Sequence, residues 1–168
     1  VIHRDIKLEN ILLHYKTEED KNNLNLMKAT AKIIDFGFAC KISGNNLAHT
    51  AVGSPLNAAP VLLKKMTGES AKLGYDQKAD IWSLGSICYH MLIGKPIFDA
   101  EDMDDLISKV EKGSYKLPAN LSREIVSFLN GMLQYEPKNR LTAEQLSNHE
   151  FLRNNVKDFH KIDLTSID

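Results

Sequence analysis

The chain is 168 residues long, 43% hydrophobic and 26% charged, with a net charge of −1 and a pI near 6.6. That size fits one domain or part of a larger one, with apolar residues enough for a core. The near-neutral balance speaks against a broad electrostatic grip on nucleic acid or an anionic membrane, no apolar run reaches transmembrane length, and two cysteines, Cys40 and Cys88, are too few for a disulfide framework and read as free thiols.

The chain opens VIHRDIKLENILL, with charged and amide side chains crowded ahead of an apolar run. Residues 11–14 and 31–34 read as short strands. The polar stretch between them reads as a surface loop, and its cluster Glu18, Glu19, Asp20 and Lys21 as a solvated face. Residues 38–60 lose all periodicity and carry Gly44, Gly53, Pro55 and Pro60, which predicts a long ordered loop; loops of that length in compact domains tend to be functional.

From residue 77 the pattern turns helical. Apolar side chains all round 77–93 predict a buried helix, stopped by Gly94 and Pro96. A second helix is expected over 103–112, with the acidic residues around 101–105 favouring its N-terminus. A third is expected over 121–134 with Ser122 as its cap, and a short fourth over 142–147 with Leu141 or Thr142 at its start. The stretch after Phe151 is weakly patterned. The expected class is therefore α+β, mainly helical, with a short β-hairpin at a catalytic face.

Two motifs carry chemistry. His3-Arg4-Asp5-Ile6-Lys7-Leu8-Glu9-Asn10 follows the pattern H-R-D-L-x-x-x-N, and Asp35-Phe36-Gly37 is a D-F-G triplet after an apolar strand. Phosphoryl transfer to a hydroxyl needs a carboxylate beside that hydroxyl, a cation on the moving group, and hard oxygen ligands for magnesium. Asp5, Lys7, and Asn10 with Asp35 supply these in turn.

On those motifs the chain resembles the C-terminal lobe of a eukaryotic serine/threonine protein kinase over about residues 1–152, with 153–168 as a tail. GSP at 53–55 resembles the loop that receives the acceptor residue, DIWSLG at 80–85 the start of the central helix, and EPKNRLTAEQLSNHEF at 136–151 the closing stretch. The resemblance implies ATP and Mg2+ as cofactors and a protein with a Ser or Thr acceptor as partner, with no nucleic acid, no membrane span, an undetermined oligomeric state, and a cytoplasmic or nuclear setting. It implies Asp5 as catalytic base and Lys7 as the cation on the γ-phosphoryl group. Asn10 and Asp35 become the metal ligands, Leu12 a residue beneath the adenine, and Glu9 a contact for a basic residue near the phosphosite. His3 and Phe36 would stack in the spine between lobes, Asp80 would bind amides of the catalytic loop, and Ser54 would hydrogen-bond near Asp5 and Lys7. Arg4 would pair with a phosphorylated residue, Thr50 first, then Ser43 and Ser54. Phe38 after D-F-G hints at serine as acceptor. DFGFA and the loop before it resemble the unc-51-like kinases; GYDQKADIWSLG also resembles the calcium/calmodulin-dependent type.

The pattern breaks at Ala59-Pro60-Val61, where the resemblance implies A-P-E: either Glu has become Val or one residue is deleted from A-P-E-V-L-L, and Arg140, matched to the arginine that pairs with that Glu, must find another acceptor, reach water or destabilise the lobe. LNA at 56–58 replaces the usual aromatic-rich stretch, and Leu8 replaces Pro. A kinase-like scaffold without catalysis is the competing reading. The glycine-rich loop, strand lysine and helix glutamate of a kinase do not occur in the chain. The expectation is therefore a fragment that binds ATP poorly on its own.

Overall fold

The computed structural model describes residues 1–43, 46–69, 73–113 and 115–155. Gly44 of the expected long loop and residues 156–168 of the expected tail lie outside them. Strands β1 (Ile11–His14) and β2 (Thr30–Ile33) pair antiparallel with Leu12 opposite Lys32 and Leu13 opposite Ala31. Strand β2 begins one residue earlier than expected. Ile34 nevertheless continues the ladder, its N–H bonding Asn10 O at 2.9 Å.

The polar stretch between the strands is not all loop. It holds helix α1 (Glu18–Asn22) and a 3-10 turn over Leu26–Lys28. Thr17 caps α1 by accepting from Asp20 N at 3.1 Å, three acidic residues occupy its first turn, and Lys28 reaches back to Asp20 at 3.0 Å. Local capping thus orders a segment that has no apolar periodicity.

Helix α2 (Pro60–Met66) begins at the last residue of the expected loop and runs into a stretch for which no element was expected. Proline in the first turn lacks only a donor that the helix leaves unused there. Leu62 and Leu63 are buried beneath it. Helix α3 (Lys78–Ile93) is the central element and ends on Gly94 in the left-handed conformation. Ile81, Trp82, Ile87 and Tyr89 are buried, but Met91 and Leu92 face solvent, so the expectation of burial all round fails in the last turn. A methyl group on Gly85 would lie 2.8 Å from Met132 Cβ, so glycine lets α3 approach α5 (Arg123–Met132) closely.

Helix α4 (Met103–Glu111) is capped by Asp102, whose carboxylate accepts from Asp105 N at 2.8 Å. The acidic cluster there is accounted for by its own helix start. Ser122 caps α5 as expected, and α6 (Ala143–Ser147) begins with a capping box between Thr142 and Gln145. Helix α7 (Glu150–Asn155) follows. Phe128 of α5 packs on His149 and Phe151 at ring separations of 5.2 and 5.1 Å, fixing α7 to the body.

Arg140 finds the acceptors it needs. Only 2% exposed, it donates to the main-chain carbonyls of Gln134 (2.7 Å), Lys78 (2.7 Å) and Tyr135 (2.9 Å), and its guanidinium lies 5.1 Å from the Trp82 ring centre. Lys78 Nζ in return donates to Arg140 O. Burial draws the guanidinium pKa down to about 10, with Asp76 and Glu136 opposing, so it stays charged at neutral pH. Arg140→Ala strips the donor from three carbonyls at once. Chemical denaturation should show a loss of about 3 kcal/mol or more.

Candidate active site

The first turn of α3 shapes the loop above it. Asp80 turns its carboxylate outward and accepts from His3 N at 2.7 Å and Arg4 N at 2.9 Å. Burial raises the Asp80 pKa, and these two amides work against that rise. Receiving two successive amides bends the chain sharply, and Arg4 takes φ +73°. A non-glycine residue there costs energy and persists because its surroundings fix it.

His3 is held on both nitrogens. Nδ1 accepts from Asp5 N at 3.3 Å, so the proton sits on Nε2, which donates to Ile34 O at 3.0 Å. Its ring meets Phe36 edge-on at 4.9 Å, the stacking expected of the pair. Through His3 the loop of Asp5 is tied to the strand that leads into Asp35.

Asp5 is 5% exposed, and both its oxygens are occupied. Oδ1 accepts from the amide and the hydroxyl of Ser54, each at 2.8 Å. Oδ2 pairs with Lys7 Nζ at 2.8 Å and accepts from Asn10 Nδ2 at 3.2 Å. Lys7 Nζ also donates to Ser54 Oγ at 3.0 Å. Burial pushes the Asp5 carboxyl up, but Lys7 and Ser54 outweigh it and hold the carboxyl below its ordinary 3.8. Asp5 in turn holds the Lys7 ammonium above its ordinary range.

Gly53 makes the Ser54 contacts reachable. Its φ is +104°, and a Cβ would sit 2.2 Å from Arg4 O. Only glycine lets this backbone lie against the loop that carries Asp5.

Asn10 is buried and spends Nδ2 on Asp5 O (2.9 Å) and Asp5 Oδ2, which leaves its carbonyl oxygen as the atom available to a ligand. Asp35 adopts φ +61° and bonds Gly37 N at 3.2 Å. It makes no direct contact with Asp5 or Asn10 among the described residues, yet it lies on the same face: its charge acts on Lys7, and the residue before it bonds Asn10. Among the described residues no three His, Cys, Asp or Glu side chains gather as a metal site. Magnesium is held by one or two protein oxygens and completes its shell from phosphate and water. Asn10 and Asp35 fit that donor set.

Glu9 is exposed and reaches the site only through its charge on Lys7. Leu12 is 51% exposed on β1.

Arg4 Nε donates to Phe38 O, and Nη1 to the Tyr75 hydroxyl at 3.4 Å. Tyr75 donates to Thr50 O at 2.7 Å, and its backbone bonds Ala48 in both directions. Sequence reasoning missed Tyr75, because a lone tyrosine ahead of a helix gives no signal of the loop it will hold. Cys88 is half-buried and its thiol is pushed up to about 11 by burial, so it is inert at neutral pH.

Residues 1–152 match the protein kinase domain family. A serine/threonine-protein kinase atg1 of Dictyostelium discoideum is 34% identical over 161 residues, covering 96% of this chain and 22% of that protein. A probable serine/threonine-protein kinase of the same organism is 33% identical over 162 residues, 96% of this chain and 17% of its own length. The chain thus spans about a fifth of the length of these curated relatives.

The Asp5 carboxyl lies below its ordinary value, so the stability it lends is present above pH 3.8 and is lost as the pH falls through the depressed value. Lys7→Met removes much of the cause. The carboxyl-carbon titration of Asp5, followed by NMR, should move upward in that variant, and its acid-side loss of stability should shrink.

Proposed function

The chain belongs to the protein kinase domain family, and we propose that residues 1–152 form the lower lobe of an active serine/threonine protein kinase, carrying the face on which the γ-phosphoryl group of ATP passes to a Ser or Thr hydroxyl of a protein. One observation supports this above the rest. The Asp5 carboxylate is kept ionised and aimed by Lys7, Ser54 and Asn10 together.

Each group has a task on this reading. Asp5 receives the hydrogen of the incoming hydroxyl and turns its oxygen toward the phosphorus. Lys7, already between Asp5 and Ser54, places a positive charge where charge develops on the transferring group. The Asn10 carbonyl oxygen and the Asp35 carboxylate would hold magnesium, and magnesium–ATP when bound supplies the transferable group and shields its charge. Leu12, exposed on β1, offers an apolar floor for a base, and Glu9 a charge for a basic residue of the acceptor protein.

Activation is part of the proposal. Thr50 has an exposed side chain while its carbonyl is held by Tyr75, which also touches Arg4. A phosphate on Thr50 would thus sit near the Arg4 guanidinium, and a charge-assisted pair there would order the segment against the loop.

Val61 in place of the expected glutamate favours the scaffold reading, and turnover decides between the two. In the full-length protein, Asp5→Asn should lower the rate of phosphate transfer to a Ser/Thr peptide by about 10²- to 10⁴-fold. Rates equal to wild type would move the reading to a scaffold. Thr50→Ala should lower turnover several-fold, with phosphate found on Thr50 of the active protein by mass spectrometry. Unchanged turnover and an unmodified Thr50 would reject the activation step.

A further inference from the structure

The segment beside the candidate base is pinned at two places. At the front, Ser54 bonds Asp5 and Lys7, as described above. At the back, Asn57 is held by two hydroxyls of α3. Ser83 Oγ donates to Asn57 O at 2.8 Å, and Ser86 Oγ donates to Asn57 Oδ1 at 2.8 Å. Between the pins runs a single 3-10 turn, Pro55–Asn57, in which Leu56 stays 47% exposed while Ala58 and Ala59 beyond it are buried.

The second pin is specific in its chemistry. Ser86 is only 2% exposed and sits among apolar residues of α3. A buried serine on a helix commonly bonds a carbonyl of its own preceding turn. Ser86 reaches across to a side-chain oxygen instead, and that oxygen belongs to Asn57, the last residue of the 3-10 turn. A larger apolar side chain at 57 could not use the Ser86 donor, and an alanine at 86 would leave Asn57 Oδ1 without it. The two residues are matched to each other.

We propose that Asn57 is a positioning residue: clasped by Ser86, it fixes the Pro55–Leu56 wall so that an acceptor peptide seats with its hydroxyl at Asp5. The role rests on the kinase reading above. Asn57 touches no reacting group in it. It acts through the turn, whose other end is the Ser54 contact with the base. A loosened turn weakens the seating of the peptide more than the hold on the nucleotide, because the Asn57 bonds run to α3 and those of Asn10 and Asp35 run to Asp5 and Gly37.

The test is a cycle of Ser86→Ala, Asn57→Ala and the double variant in the full-length protein. Each single variant should raise the peptide KM by about five- to tenfold, with kcat and the KM for ATP within about twofold of wild type. The double variant should be no worse than either single one, since both remove the same bond. Amide hydrogen exchange over 54–58 should quicken in Ser86→Ala, with 78–93 unchanged. An unaltered peptide KM overturns the proposal, as do equal losses in kcat and the KM for ATP, or additive effects in the double variant. Wild type that transfers no phosphate overturns the kinase reading and the docking role with it. Faster exchange in Ser86→Ala would then still show the clasp, so the two failures are told apart.

Discussion

One carboxylate sets the form of the site. Asp80 takes the amides of His3 and Arg4 together, and the chain that offers two neighbouring donors to one acceptor has to fold back on itself. The positive φ of Arg4 is the cost of that turn, and the His3 ring, the Asp5 carboxylate and the Arg4 guanidinium all leave from it in fixed directions. Asp80 can do this because it stands on the first turn of a helix packed into the core. Glycine at 85 brings α3 against α5, and Arg140 bonds the Lys78 carbonyl while Lys78 bonds Arg140 in return. The core therefore fixes the helix, the helix fixes one acid, and that acid fixes the loop.

The departure at Val61 lies in this support and not in the chemistry. A buried guanidinium deprived of a carboxylate is costly when nothing replaces it. Here three carbonyls and an aromatic face receive it, with Asp76 and Glu136 within range of its charge. The same side chain that lost its expected partner thus still ties the closing stretch to the start of α3. The site above holds together without that carboxylate: Ser54 bonds Asp5 and Lys7, as expected of it, and Lys7 and Asn10 both bond Asp5.

The sequence was most readable where pattern and chemistry coincide. The helices of the second half follow from their apolar spacing and their caps at Ser122 and Thr142, and the candidate site was picked out by two motifs, at residues 3–10 and 35–37. It was least readable where short-range forces act without periodicity. Helix α1 depends on the Thr17 cap and an acidic first turn, and α2 on a proline that equally suits a loop. Tyr75 and Ser86 were silent for a different reason. Each acts on a segment remote in the chain, at Thr50 and Asn57, and neither spacing nor composition carries that information. Met91 and Leu92 show the reverse error, since an apolar helix does not say which of its turns the body will cover.

On the proposed kinase reading, the saturation of Asp5 has a consequence for how an acceptor hydroxyl would gain entry. A carboxylate offers roughly four places to donors, and here Ser54 fills two on one oxygen while Lys7 and Asn10 take the other. A newcomer finds no vacant lone pair. It has to exchange with a donor already present, and the nearest of its own kind is the Ser54 hydroxyl. Admission is then a swap of one alcohol for another, nearly balanced in bond strength, so the ease with which a guest is received depends on how readily its host lets go.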